Sequence, residues 1–435
     1  MDILLVVGNL DFIEYAENTE YHVQGTSIGN LGSSVAMARN GILLLVGSCL
    51  YFQFAVVAYA QGVILQGAGP VNRSMGGASV AAPIDAIGAI YWNPATISGM
   101  ERSETAISLD VLFPNHTINT AIGGFSESSE ADPGTFPIPN VGMVHKTSNE
   151  QLTFGIGINT VAGFGTNIPA STTNPILAPP TGLGQISSNA LFLQLSPVLS
   201  YAVTDRLSFA AGPTVTTGRV TLEPFIFDSA NADGTYSTGN ATRNHWGSGF
   251  QLGTYYIHDD QWRFGASFKS PVWMEKFEYN GLDQNGLPRK LFLDFDLPLI
   301  FSVGTSLTVS EKTLAALDIR FIDYANTDGL GDAPVFDATG ALGGLGFKSV
   351  MSVSTGVQHV LTDRFTVRGG YTFNQNPVSN SDAFFNLASP VIFKHMLSGG
   401  ASYNFSSDFA ANLAYSYYFE NSVMGPVVFP GIGAI

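Results

Sequence analysis

Trp262-Arg263-Phe264-Gly265-Ala266-Ser267-Phe268-Lys269 alternates without a break: the even positions are apolar, and the odd ones are charged, polar or small. A period of two puts Trp262, Phe264, Ala266 and Phe268 on one face of an extended strand and the other four on the opposite face. The same rhythm runs through residues 365–373 and 409–419, where Phe409, Ala411, Leu413, Tyr415, Tyr417 and Phe419 share a face. From about residue 104 onward the chain reads as strand pairs of this kind.

Alternation fits a soluble sandwich as well as a membrane wall, and the turns separate the two. Short polar breaks fall at 148–151, 204–206, 258–261, 310–312, 362–364 and 406–408, spaced about 45–55 residues apart. Each is flanked by alternating segments of roughly 10 residues, the length a tilted strand needs to cross a bilayer. Longer stretches rich in Gly, Pro, Asn and Asp lie between them, at 163–188, 223–244, 279–290, 324–347 and 374–390. Tight turns at one end and long loops at the other are the pattern of outer-membrane barrels. The expectation is therefore an all-β fold, a transmembrane antiparallel β-barrel of about 14 strands over residues 104–435. Thirteen strands are visible, and closure needs an even number. The fourteenth is expected after Phe419, where the last 16 residues contain Pro426 and Pro430. Proline suits a strand interior poorly, so the strand there is expected to be short and irregular, or the wall incomplete.

Composition agrees with a lipid-facing wall. Charged residues make up 12% of the chain, against roughly 25% in soluble domains. Mean hydropathy is only +0.19, and outside residues 41–60 no uninterrupted apolar run reaches the length of a spanning helix. The net charge of −16 argues against nucleic acid as a partner. The single cysteine, Cys49, leaves no internal disulfide and no multi-cysteine metal site. Residues 41–60 are apolar, follow Met37-Ala38-Arg39-Asn40 and end in Ala58-Tyr59-Ala60. That is the pattern of a secretory signal peptide. It sets residues 37–60 as the signal, Gln61 as the mature start and residues 1–36 as a mis-called upstream extension. An uncleaved membrane anchor and a lipoprotein box at Val46-Gly47-Ser48-Cys49 are the competing readings.

Residues 61–103 are rich in Gly and Ala, show no clean alternation and have short helix potential at 81–89. They suit a plug folded inside the lumen. Within them, Ser74-Met75-Gly76-Gly77-Ala78-Ser79-Val80-Ala81 and Ala89-Ile90-Tyr91-Trp92-Asn93-Pro94-Ala95 resemble the N-terminal hatch signature of the FadL/TodX-type outer-membrane transporters of long-chain fatty acids and aromatic hydrocarbons. Weaker echoes at 195–201, 205–208, 265–271, 368–371 and 376–378 extend the resemblance over about residues 61–419. It implies a 14-stranded barrel with a lumenal hatch, ligand capture among the outer loops, and passage sideways through a wall opening or past the hatch. Residues 429–435 depart from the pattern, lacking the terminal aromatic strand.

The functional expectation is passive transport of small hydrophobic molecules through a plugged barrel in the outer membrane of a Gram-negative cell. No enzyme activity and no cofactor are implied, and the expected setting is a monomer among outer-membrane lipid and lipopolysaccharide. The hatch residues singled out are Asn93, Pro94 and Ala95, with Gly76 and Gly77, as a turn fixing hatch to barrel; the plain alternative is an ordinary Asn-Pro turn. By parity Arg263, Lys269, Arg320 and Arg368 point into the lumen, since Phe264, Phe268, Ile319, Phe321 and Val367 take the lipid face. They either pair with lumenal acids such as Asp318 and hold hatch to wall, or meet a cargo carboxylate directly. Gly163 and Gly165 either break the third strand and open the wall or merely punctuate a loop. A Ca²⁺ among Asp323, Asp328, Asp332 and Asp337 is a further reading.

Two other classes compete. A phospholipase-like barrel enzyme would need Ser, His and a carboxylate or amide together. His116, His145, His245, His258, His359 and His395 sit in no recognisable catalytic motif, and Gly25-Thr26-Ser27-Ile28-Gly29 follows no apolar strand. A general porin would have no use for a plug. N-terminal sequencing of the protein extracted from the outer membrane is expected to begin at Gln61, and any other start overturns the signal-peptide assignment.

Overall fold

The structure, a computed structural model, describes residues 2–5, 62–122, 124–178, 182–241, 243–429 and 433–434. The expected signal segment 37–60, Cys49 and the glycine-serine motif at 25–29 lie outside the described residues. The strands run from β1 (Asp2–Leu5) and β2 (Glu104–Phe113) through an outer hairpin of β3 (Thr117–Ile122) and β4 (Phe125–Glu130). Then come β5 (Phe136–Lys146), β6 (Leu152–Ile168), β7 (Ile186–Thr204), β8 (Leu207–Glu223), β9 (His245–Ile257), β10 (Trp262–Lys269) and the two-residue β11 (Trp273–Met274). A second outer hairpin, β12 (Phe277–Leu282) and β13 (Pro288–Leu293), precedes β14 (Ile300–Ser310), β15 (Thr313–Ile322), β16 (Val350–Thr362), β17 (Phe365–Asn374), β18 (His395–Asn404) and β19 (Ala410–Tyr418).

Apart from the hairpins and β11, each strand pairs antiparallel with the next; β9 meets both β8 and β10, and β1 lies between β19 and β2. The pairing thus returns to its start after fourteen strands, satisfying backbone groups that lipid cannot. Residues 104–418 supply the expected thirteen. The fourteenth is a correction: it does not follow Phe419. Beyond β19 the chain leaves the wall, and among the described residues only the two-residue strands β20 (Val428–Phe429) and β21 (Gly433–Ala434) form there, consistent with Pro426 blocking a longer ladder. The place is taken by Asp2–Leu5, from the stretch expected to be an upstream extension, with Leu4 opposite both Tyr415 and Val111. The N-terminal sequence decides whether the mature chain keeps it.

The alternation read from the sequence is the division between lipid and lumen. On β7, Leu191, Leu195, Leu199 and Tyr201 are exposed on the outside, while Ser188, Phe192, Gln194, Ser196 and Ser200 are buried inside. Aromatics gather at both ends of the outer face, with Trp262, Phe264 and Tyr256 near the tight turns and Trp246 and Trp273 toward the long loops, as interfacial girdles do.

Residues 62–100 fill the lumen. They form a helix at Gly69–Ser74, another at Ala86–Trp92 and a 3-10 turn at Pro94–Gly99. The second helix starts later than its potential over 81–89 suggests, because the Asp85 carboxylate caps it by accepting from the Gly88 amide. Tyr91, Trp92, Ile87 and Ile90 bury completely against the wall. The wall makes room by omitting side chains where the hatch comes close. A β-carbon on Gly370 would collide with the Gly76 amide, one on Gly356 with the Met75 backbone, and one on Gly265 with the Val80 carbonyl. Gly370→Leu is expected to leave a folded, heat-modifiable barrel on gels while making the hatch sensitive to protease; a hatch as resistant as the wild type would refute this packing.

Candidate functional site

The hatch is tied to the wall by a few fully buried polar groups. Asp318 on β15 accepts from the amides of Ser79, at 2.8 Å, and Val80, at 3.0 Å. Arg320, two residues on and on the same lumenal face, donates to Asp318 at 2.7 Å, to the Gly77 carbonyl at 2.5 Å and to Ser354 at 2.8 Å. Its guanidinium lies 3.7 Å from the centre of the Trp92 ring, a cation–π contact strengthened by exclusion of water. Gly76 and Gly77 adopt φ of 64° and 78°, left-handed values that favour glycine. The turn they make presents the Gly76 carbonyl to Thr372, at 2.5 Å, and the Gly76 amide to Ser398, at 3.1 Å.

Asn93 is the second tie. Its side-chain nitrogen donates to the Val80 carbonyl at 2.7 Å, within the hatch, and to the Thr254 carbonyl of β9 at 2.8 Å. Its side-chain oxygen accepts from the Ala95 amide at 3.1 Å, capping the 3-10 turn that Pro94 opens. On the opposite wall Arg73 donates through Nε to Asp110 on β2, both side chains being buried.

The wall is split next to the hatch. The β5–β6 ladder runs from Lys146 opposite Thr153 to Asn140 opposite Asn159 and stops there. Beyond it, among the described residues, the ladder of 136–139 is with β2 alone and that of β6 with β7, with a register shift between Thr160 and Ala162; across the gap the Thr160 hydroxyl donates to the Pro139 carbonyl at 3.1 Å and the Asp132 amide to the Asn167 carbonyl at 2.7 Å. Pro137 and Pro139 carry no N–H and belong where a strand edge is free. The hatch takes the vacant place: Leu65 donates to the Val161 carbonyl at 3.1 Å, and Gly163 donates to the Val63 carbonyl at 3.0 Å. A cavity of about 90 Å³, lined by Ile64, Phe136, Ile138, Ala162, Phe164 and Leu191 among others, occupies the split. Leu191 is also exposed on the outer face, so the cavity reaches the lipid side. His116 sits at its rim, where burial pushes the imidazole down to about 4 and keeps it neutral.

Phe164 also lines a second, smaller apolar cavity, of about 30 Å³, among the outer loops with Leu222, Phe295, Phe384 and Phe385. On the tight-turn side of the hatch the character reverses. A cavity of about 410 Å³ there is lined by Glu101, Arg102, Glu104, Arg263 and Arg368 among others.

Residues 52–425 match the family model described as outer membrane protein transport protein (OMPP1/FadL/TodX). The chain belongs to that family. The long-chain fatty acid transport protein of Escherichia coli strain K12 is 22% identical over 397 residues, covering 80% of this chain and 86% of that protein. The Ralstonia pickettii toluene transporter TbuX superposes with a TM-score of 0.60 at 19% identity, over 82% of this chain and 99% of TbuX. A Pseudomonas aeruginosa FadL homologue gives 0.61 at 14% identity, over 85% and 93%. As a member of the family, the protein is an outer-membrane barrel of a Gram-negative cell.

The four cations expected in the lumen all point inward, to different surroundings. Arg320 is in the hatch tie, and Lys269 lies 4.2 Å from the Tyr91 ring centre and 5.2 Å from that of Trp92. Arg263 donates to Thr308 at 2.7 Å, and Arg368 to Gln358 at 2.7 Å and Ser402 at 2.5 Å. Gly163 and Gly165 stand on the free edge of β6, Gly165 beside the Phe136 ring. Asp323, Asp332 and Asp337 do not converge on a cation: Asp323 accepts from Asn326 and Ser349, Asp332 from Gly329, and Asp337 from Thr339 and Ala341. Arg73, Gln66 and residues 63–65 were not singled out from the sequence. Arg73 could have been, as the lone cation within the short hatch helix.

Asn93→Ala would leave the Val80 carbonyl and the Ala95 amide without their side-chain partner in a buried site, at about 1–3 kcal/mol for each. Protease cleavage within residues 76–95 of the native protein is expected to rise at least tenfold, about 1.4 kcal/mol of local stability. Unchanged cleavage would show that Asn93 is not a tie.

Proposed function

We propose that this protein lets small hydrophobic molecules cross the outer membrane passively and releases them sideways through the split between β5 and β6. The observation that carries the reading is that a hatch segment, residues 63–65, stands in for β5 along the free edge of β6, beside an apolar cavity that reaches the lipid face. Cargo captured among the loops at Phe384 and Phe385 passes Phe164 into the wall cavity. Each methylene that leaves water gains about 0.8 kcal/mol, so the route needs no energy source. Continuing past the hatch would put the same cargo among Glu101, Arg102, Glu104, Arg263 and Arg368, an unfavourable exchange for an apolar body.

Under this reading Arg320 and Lys269 hold hatch to wall, and Arg263 and Arg368 keep the far cavity polar. Asn93, Pro94 and Ala95, with Gly76 and Gly77, fix the hatch so that only its first residues border the split, and Gly163 and Gly165 let β6 bend away from β5. The cargo class follows the relatives, one a long-chain fatty acid transport protein and the other a toluene transporter. The barrel works as a monomer with outer-membrane lipid and lipopolysaccharide against its apolar face.

Leu191→Cys places a thiol at the mouth of the split. Coupling a bulky methanethiosulfonate there is expected to cut uptake of radiolabelled cargo by intact cells at least tenfold, and dithiothreitol to restore it. Uptake indifferent to the block would reject lateral exit. Release of fatty acid from phospholipid by the purified protein would favour the enzyme reading, and steady ion conductance in planar bilayers the porin.

A further inference from the structure

Between the outer loops and the split lie two apolar cavities, and one side chain stands between them. Among the described residues only Phe164 lines both, the wall cavity of about 90 Å³ and the loop cavity of about 30 Å³. Beside it the chain itself crosses from one cavity to the other: Ala388 and Ser389 line the loop cavity, Pro390 and Val391 the wall cavity. That backbone is pinned, since the Ala388 carbonyl accepts from the Ser188 hydroxyl and the Ser389 amide donates to the Asn386 carbonyl at 3.0 Å. The ring is held less firmly. Its one aromatic contact among the described residues is Phe295, tilted and 6.2 Å away, whereas Phe295 also stacks on Phe192 at 5.7 Å and meets Phe277 edge-on.

The irregularity in β6 is what aims this ring inward. Up to Ile158 the even positions of β6 face lipid, where Phe154, Ile156 and Ile158 are exposed. A strand that kept this register would put Phe164 outside with them. Instead Thr160 stands opposite Leu193 and Ala162 opposite Phe192, so Val161 is an extra residue in the ladder with β7. One extra residue exchanges the faces of everything that follows, and Ala162 and Phe164 are buried. The carbonyl of the same Val161 is the one that Leu65 of the hatch holds. An apolar cavity of about 150 Å³ takes up one benzene, and neither cavity reaches that size while the ring stands in place. Swinging the ring aside joins the two and adds its own space, an opening about as wide as one phenyl group.

We propose that Phe164 is a gate between the loop cavity and the wall cavity, and that its ring sets the width of the cargo: unbranched alkyl chains and single aromatic rings pass, and fused ring systems do not. The gate rests on the reading that cargo moves from the loops to the split, and it adds a steric limit to that route.

Entry of toluene and of pyrene into intact cells, each measured above the rate of cells without the barrel, tests this. The wild type is expected to admit toluene and to leave pyrene at the barrel-free rate. Phe164→Ala is expected to raise pyrene entry about tenfold over that rate, the lower end of what steric fit discriminates, with toluene changed by less than about twofold. Phe164→Trp enlarges the ring and is expected to cut toluene entry about tenfold. A misfolded barrel would lower entry in both variants, and heat-modifiable migration on gels checks each. Pyrene entering the wild type as fast as toluene would overturn the gate and leave lateral exit standing. So would an equal change of both cargoes, or of neither, in a folded Phe164→Ala barrel, or unchanged toluene entry in a folded Phe164→Trp barrel. When Leu191→Cys is added to Phe164→Ala, the methanethiosulfonate block is expected to stop the pyrene that enters. Pyrene entry that survives the block would bypass the split and sink the transport reading together with the gate.

Discussion

Asp318 accepts two backbone amides of the hatch and one guanidinium nitrogen of Arg320, and Arg320 in turn holds a hatch carbonyl. Irregular backbone at membrane depth persists only where its polar groups find partners inside the protein. The turn at Gly76 and Gly77 is such backbone: the helix before it accepts from the two amides, at Arg73 and Asn72, but the two carbonyls are left to the wall. A carboxylate and a guanidinium two residues apart on one strand meet that requirement from the wall side and neutralise each other. With this tie in place, the hatch can pack Tyr91 and Trp92 against the lumen, and the glycines facing it become necessary.

The wall obeys the opposite economy. Most of its ladder is continuous, because an unpaired edge facing hydrocarbon is expensive. At the β5–β6 split the barrel gives up that continuity and recovers part of it by borrowing the backbone of residues 63–65. A borrowed partner differs from a strand in one respect: its contact with β6 is short. Local opening there breaks two backbone hydrogen bonds to β6 and the bond from the Ile64 amide to the Tyr324 hydroxyl rather than a whole ladder, which puts the split at the low-stability end of the structure, where binding and passage are commonly found.

Much of the barrel was legible because period two is a strong signal when lipid replaces water: Phe264 and Trp262 outside, Arg263 and Lys269 inside. The hatch signature singled out Asn93 and Gly77, and these residues meet Thr254 and Arg320 of the wall. The split was less visible. Gly163 and Gly165 marked the strand, but the interruption also depends on Pro137 and Pro139 in the neighbouring strand and on residues 63–65 arriving from about 100 positions away in sequence. Pairings that distant leave no local trace. The fourteenth strand failed for a related reason: closure predicts that a strand must exist, not which stretch of chain supplies it. Gln66 went unnoticed because its contact with Tyr418 is a property of packing, and packing has no period.

The central claim is that cargo leaves between β5 and β6 and does not pass the hatch. Site-specific photo-crosslinking compares the two routes in one experiment, with a benzophenone amino acid at Leu191, on the lipid side of the split, or at Ser306, in the charged cavity beyond the hatch. Irradiation during uptake of a radiolabelled hydrophobic carboxylate is predicted to label the protein through position 191 and to leave position 306 at background. Strong labelling at 306 with none at 191 would contradict the account.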